Sequence, residues 1–308
     1  MPIAVVTFQF DPSVQLFGDL VVRWGTIALV AVIIAALVLA GILARRAGLR
    51  ADDVAFVAIG IVPGAVIGGR LGYLLAHPGA LRSAPELLFD PSVGGLELGL
   101  AVVGGFITGS YVASLLGSPV GRWLHLAIAP TLFVLGAGKL TMVLTGTGQG
   151  RPDDSAWATH YLGPGPWGSL LPALPSVPSQ AIEGIATLAI LTALTVLLMA
   201  GAFRRQDGMA FFLGIGLWAV ARAGVSTTWR DPAEIGQLPG GGVLAMGIAS
   251  VCVLALVALL IRGRMIPEGA EAGAGVALPG DAGDPAHPSL DTVGNELAWP
   301  DPESRPRF

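Results

Sequence analysis

The chain has 308 residues, 53% of them apolar and 12% charged, with a mean hydropathy of +0.73 and a net charge of −4. A soluble domain carries about 25% charged residues, so this composition excludes a soluble globular protein and a disordered one. No cationic excess exists to attract polyanions, which excludes nucleic acid as a partner. The composition predicts an all-α, polytopic membrane protein.

Residues 1–23 are of mixed polarity and include Asp11 and Asp19. They lack the short apolar core of a cleaved signal peptide, so the first span is expected to remain as an anchor. Seven segments then approach the roughly 20 apolar residues that a spanning helix needs. They lie at about 24–44, 54–76, 96–116, 123–145, 181–202, 209–226 and 243–262. Positive charge between them falls unevenly. Arg45, Arg46, Arg50, Arg122, Arg204, Arg205, Arg262 and Arg264 collect on one side; Arg23, Arg82, Arg151 and Arg230 lie on the other. This bias predicts an outside N-terminus and a cytoplasmic C-terminus.

The outer loop 146–180 is rich in Gly, Pro and aromatic residues, and Trp157, Tyr161 and Trp167 are expected at the headgroup level. Residues 1–266 are read as one membrane domain. Residues 267–308, with eight acidic side chains, are read as a disordered cytoplasmic tail. Cys252 lies in an apolar run and reads as a small buried hydrophobe.

Span two carries Gly60, Gly64, Gly68 and Gly72 at four-residue spacing, a face that lets a neighbouring backbone approach closely. Pro63 on the same helix implies opened backbone hydrogen bonds. Three cations stand in apolar runs: Arg70 in GGRLGY, Lys139 (the only lysine) in LGAGKL, and Arg222 in AVARAGV. Such charges are costly in hydrocarbon and need a reason to be there. All three fall in the outer halves of their spans, with Glu97 and Glu183 as nearby carboxylates. A shared site for an anionic phospholipid headgroup is the reading that uses them together; snorkelling and an Arg222–Glu183 ion pair are the alternatives. His77 and His287 stand beside prolines, and His125 enters span four at its cytoplasmic end. His160, in the outer loop, is the one histidine placed for outer-face acid–base work. No spacing suggests a metal site, and no cofactor is implied.

At these residues the chain resembles the bacterial phosphatidylglycerol–prolipoprotein diacylglyceryl transferases. The likeness is carried by FGDLVVRWGTIALV at 17–30, GGRLGYLL at 68–75, Gly94–Gly95 and LGAGKL at 135–140. PSVPSQAIE at 175–183 and the stretch from Arg222 to Arg230-Asp231-Pro232 complete it. The resemblance covers about residues 10–262. It implies transfer of the diacylglyceryl group of phosphatidylglycerol to the lipobox cysteine in the signal peptide of a prolipoprotein. This would occur at the outer face of the bacterial inner (cytoplasmic) membrane, forming a thioether and releasing glycerol phosphate. Arg70, Lys139 and Arg222 would hold the phosphate, with Glu183, and after it His160, as candidates for proton transfer. Several of the family's polar positions differ: Lys139 stands for an arginine, Met142 for an asparagine and Thr147 for a glutamate. Gly99 and Val177 stand for histidines, Gly25 and Ile182 for tyrosines, and Ser226 for a glutamate. A non-catalytic phospholipid-binding paralogue therefore stands beside the active transferase as a reading, and a small transporter is a third.

Overall fold

The computed structural model describes residues 5–79 and 95–265, so the acidic tail 267–308 and most of the segment around Arg82 lie outside the described residues. Among these residues, seven helices are long and apolar enough to cross a membrane. They are α1 (Trp24–Arg46), α2 (Asp53–Ala76), α3 (Leu98–Leu115), α4 (Val120–Thr141), α5 (Ser179–Met199), α6 (Met209–Ser226) and α7 (Gly240–Met265). One turn of 3-10 helix, Met142–Thr145, prolongs α4.

The expected limits shift by a few residues for local reasons. The third helix starts at Leu98 rather than 96 because the Glu97 side chain accepts from the N–H groups of Gly99 and Leu100 and caps it. The fourth and fifth start earlier than expected, directly after Pro119 and Pro178. Proline suits a helix start, where its missing N–H costs no intrahelical bond. Helix α2 continues through Pro63.

The α2–α3 seam is the closest helix contact. A Cβ on Gly64 would sit 2.2 Å from the Gly104 carbonyl oxygen, and one on Gly68 would sit 2.1 Å from that of Leu100. The glycine stripe is therefore a helix–helix seam, with backbone lying on backbone. Helices α4 to α7 enclose the main apolar core, including Ile128, Leu132, Leu194, Phe211, Ile215, Trp218 and Ile248. Cys252 is buried in this core. Ile34, Val38, Ile59, Ile67, Val251 and Leu254 are exposed on the helices, as lipid-facing side chains would be.

The two ends of the bundle differ. Connections 47–52, 116–119 and 200–208 are short, and Gly48 and Gly117 take positive φ (+68° and +69°) where a side chain would be strained. The other end carries the three strand pairs found among the described residues, which the composition did not predict. Strands β2 (Ser13–Gln15) and β3 (Val21–Arg23) pair antiparallel before α1; β5 (Ala233–Ile235) and β6 (Leu238–Pro239) do so between α6 and α7. Strand β1 (Val6–Phe8) runs parallel to β4 (Thr159–Tyr161), tying the N-terminal segment to the loop between α4 and α5.

That loop is not a simple interfacial belt. Trp157 is exposed, but Tyr161 is only 1% exposed, stacked on Phe8 at 4.9 Å, with its hydroxyl donating to the Val143 carbonyl at 3.0 Å. Burial pushes its phenol up to about 12. Trp167 packs against Phe10 and Tyr161. Two of the three aromatic residues thus form a small core that the loop shares with Phe8 and Phe10 of the N-terminal segment.

Candidate functional site

The strand-bearing end gathers four charged side chains from four helices. Glu183 lies in the second turn of α5 and is 1% exposed; Arg222 lies near the end of α6 and is 4% exposed. Arg222 Nη1 is 2.6 Å from Glu183 Oε1, and Lys139 Nζ, in the last turn of α4, is 2.8 Å from Glu183 Oε2. Arg222 Nη2 is 3.1 Å from Oε1 of Glu97, the capping residue of α3. The order is therefore Glu97–Arg222–Glu183–Lys139, two positive and two negative groups. The acids stand at helix starts and the cations at helix ends, the sense each helix dipole favours. Trp229, in the turn after α6, lies with its ring centre 4.7 Å from the Arg222 guanidinium carbon and 6.0 Å from Lys139 Nζ.

This network stands between two cavities. The first, of about 250 Å³, is lined by Lys139 and Glu183 together with Gln149, Ser169, Gln180 and Arg230. The second, of about 400 Å³, is lined by Glu97 and Arg222 together with Tyr73, His77 and Glu234. Trp229 and Asp231 line both. Around the first cavity, Gln149 Nε2 donates to the Thr159 carbonyl at 2.8 Å, and Arg230 Nε donates to the Gly150 carbonyl at 2.7 Å. The loop between α4 and α5 is thereby fastened to the cavity wall.

The structure thus brings Lys139, Arg222 and Glu183 together and adds Glu97 to them. Arg70 is half-buried on α2, one residue from Gly69, whose carbonyl accepts the Glu97 N–H at 2.8 Å; it is not among the described lining residues of either cavity. His160 is placed elsewhere. It lies on β4, its Nε2 3.1 Å from the Thr7 hydroxyl, and lines neither cavity. Glu183 and Glu97 balance the charges of Lys139 and Arg222. Among the described residues no cluster of His, Cys, Asp and Glu could hold a metal.

Reading the sequence alone missed Trp229, Asp231, Gln149 and His77 as cavity residues. A usable signal existed for His77, which lies four residues after Tyr73 and so on the same helix face.

The structure is closely packed around Gly25, Gly99 and Ser226. A Cβ on Gly99 would lie 2.8 Å from the Ile248 side chain and 3.1 Å from both Glu97 carboxylate oxygens. At Gly25 a Cβ would meet the Thr145 side chain at 2.7 Å; against Ser226, Gly242 has room for no side chain, its Cβ falling 2.1 Å from the serine oxygen. Thr147 turns its hydroxyl to Thr145, 2.9 Å away.

Residues 12–262 match the prolipoprotein diacylglyceryl transferase family. The chain belongs to that family. Among its relatives are proteins named phosphatidylglycerol–prolipoprotein diacylglyceryl transferase. That of Geobacter sulfurreducens is 30% identical over 238 residues, 75% of this chain and 87% of the relative. That of Cupriavidus metallidurans is 32% identical over 163 residues, 48% of this chain and 57% of the relative. That of Trichormus variabilis is 22% identical over 276 residues, 87% of this chain and 96% of the relative. The family match covers all seven helices up to the last turn of α7 and includes every member of the charged network.

Proposed function

We propose that this family member transfers the diacylglyceryl group of phosphatidylglycerol to the lipobox cysteine of prolipoproteins. The observation that carries this reading is the position of Glu183, whose two oxygens each hold one cation, Lys139 at 2.8 Å and Arg222 at 2.6 Å. A phosphodiester presents the same pattern, two anionic oxygens on one centre. On binding, the phosphate takes the place of Glu183 between the cations, and Arg70 adds charge on the neighbouring helix. As glycerol phosphate departs, negative charge grows on the leaving oxygen, and the fixed cations stabilise it where it grows. The displaced Glu183 carboxylate stays beside the leaving group and can relay a proton to it; His160, outside both cavities, is not used.

In this reading the protein spans the bacterial inner membrane with its N-terminus and strand-bearing end outside, where the Arg bias places them. Residues 1–266 form the membrane domain, with 267–308 as a cytoplasmic tail. The prolipoprotein signal peptide approaches along the membrane, and loop 146–180 covers the headgroup.

Purified protein incubated with labelled phosphatidylglycerol and a lipobox peptide tests this. Label is expected on the peptide cysteine, and Lys139→Ala is expected to lower the rate about 10²-fold or more, as for loss of one group that stabilises developing negative charge. Lipid binding that depends on Lys139, without transfer, would make the chain a non-catalytic lipid binder. Neither transfer nor binding would overturn the reading altogether and leave transport as the activity to assay.

A further inference from the structure

Transfer to a thiol requires a base, and the carboxylates of the charged network serve the cations that hold the phosphate. Glu183 gives one oxygen to each cation. Glu97 Oε1 accepts from the Gly99 N–H at 2.7 Å and pairs with Arg222, while its Oε2 accepts from the Leu100 N–H at 2.7 Å. Each of these carboxylates therefore has both oxygens facing a cation or a backbone N–H.

The second cavity holds a different group. His77 closes α2 and lines that cavity with Glu97, Arg222, Trp229, Asp231 and Glu234. Its Nδ1 is 2.9 Å from the carbonyl oxygen of Tyr73, one turn back on the helix. A carbonyl only accepts, so Nδ1 carries the proton, and the neutral ring has its lone pair on Nε2. The ring also stacks on Tyr73 with centroids 4.5 Å apart and planes 30° apart. These two contacts fix both tautomer and orientation, and no hydrogen bond occupies Nε2 among the described residues. Asp231 and Glu234 line the same cavity but are exposed, whereas His77 is half-buried and held in one orientation by these two contacts.

We infer that His77 is the general base for the acceptor thiol, an inference that rests on the transferase reading above. The thiol enters the second cavity from the strand-bearing end and gives its proton to His77 Nε2. The sulfur forms a bond to the terminal glyceryl carbon of the lipid, and the bond from that carbon to the phosphate oxygen breaks. The electron pair of that bond leaves with the phosphate, held by Arg222 and Lys139. The imidazolium then passes its proton to the departing glycerol phosphate, restoring the neutral ring.

The test uses the full chain, labelled phosphatidylglycerol and the lipobox peptide. His77→Asn retains a side-chain N–H able to donate to the Tyr73 carbonyl but has no basic lone pair. It is expected to lower kcat by about 10²-fold or more, the usual contribution of a general base, with KM for the lipid unchanged. Added imidazole is expected to recover part of the rate of His77→Ala and none of that of Lys139→Ala. Transfer by His77→Asn at the wild-type rate, or a loss in His77→Ala that imidazole leaves untouched, overturns the role of His77 while the transferase reading stands. A wild-type chain that leaves the peptide unlabelled overturns the transferase reading, and the role of His77 falls with it.

Discussion

Glu183 contributes more to this site as a resident anion than as an isolated acid. Buried at 1% exposure, it compensates two cations that would otherwise be stranded in a poorly solvated bundle. The same geometry makes it the competitor that an incoming phosphate must displace. Glu183→Gln keeps the shape of the side chain and removes that competition, leaving the network one positive charge in excess. The variant is expected to bind phosphatidylglycerol about tenfold more tightly, a difference of about 1.4 kcal/mol, measurable by lipid-exchange titration. Unchanged or weaker binding would show that phosphate does not replace this carboxylate. The cations were legible in the sequence because a charge within an apolar run is conspicuous, and an Arg222–Glu183 pair was among the readings. The Glu97 contact was not legible, since it depends on a capping side chain folding back over a glycine at position 99.

Among the helices, α2 and α3 depend most directly on missing side chains. Gly68→Ala would drive a methyl group to 2.1 Å from the Leu100 carbonyl oxygen, and backbone cannot swing aside as a flexible side chain can. The helices must separate, at a cost of about 1–3 kcal/mol for overpacking, and the second cavity is lined by residues just beyond this seam. Gly41→Ala, on α1 with nothing within 4 Å of the new methyl group, is the matched control. A denaturation midpoint in detergent is expected to fall for Gly68→Ala and to stay level or rise for Gly41→Ala. The four-residue glycine spacing showed this seam in advance, although not which helix would fill it. The strand pairs were hidden for a different reason. Two- and three-residue strands are too short to show an alternating pattern, and β1 finds its partner more than 150 positions away.

For the molecule as a whole, seven apolar segments were enough to anticipate the helix count and, from their alternation, the meeting of Lys139, Arg222 and Glu183 at one end of the bundle. Orientation has a direct test, helped by the single cysteine, Cys252, being buried at 5% exposure. Asp154→Cys in the outer loop is expected to react with a membrane-impermeant maleimide in intact cells. Leu116→Cys, between α3 and α4, is expected to react only after the membrane is opened, and the reverse pattern would invert the topology. The charged network also bears on how such a bundle can be assembled at all. In order of synthesis its members are Glu97, Lys139, Glu183 and Arg222, which alternate in sign along the chain. Each new span after α3 therefore brings the counter-ion for a charge already present or the first half of the next pair. At no stage of sequential insertion does this group hold more than one charge in excess, so the nascent protein never has to shelter a cluster of like charges in lipid.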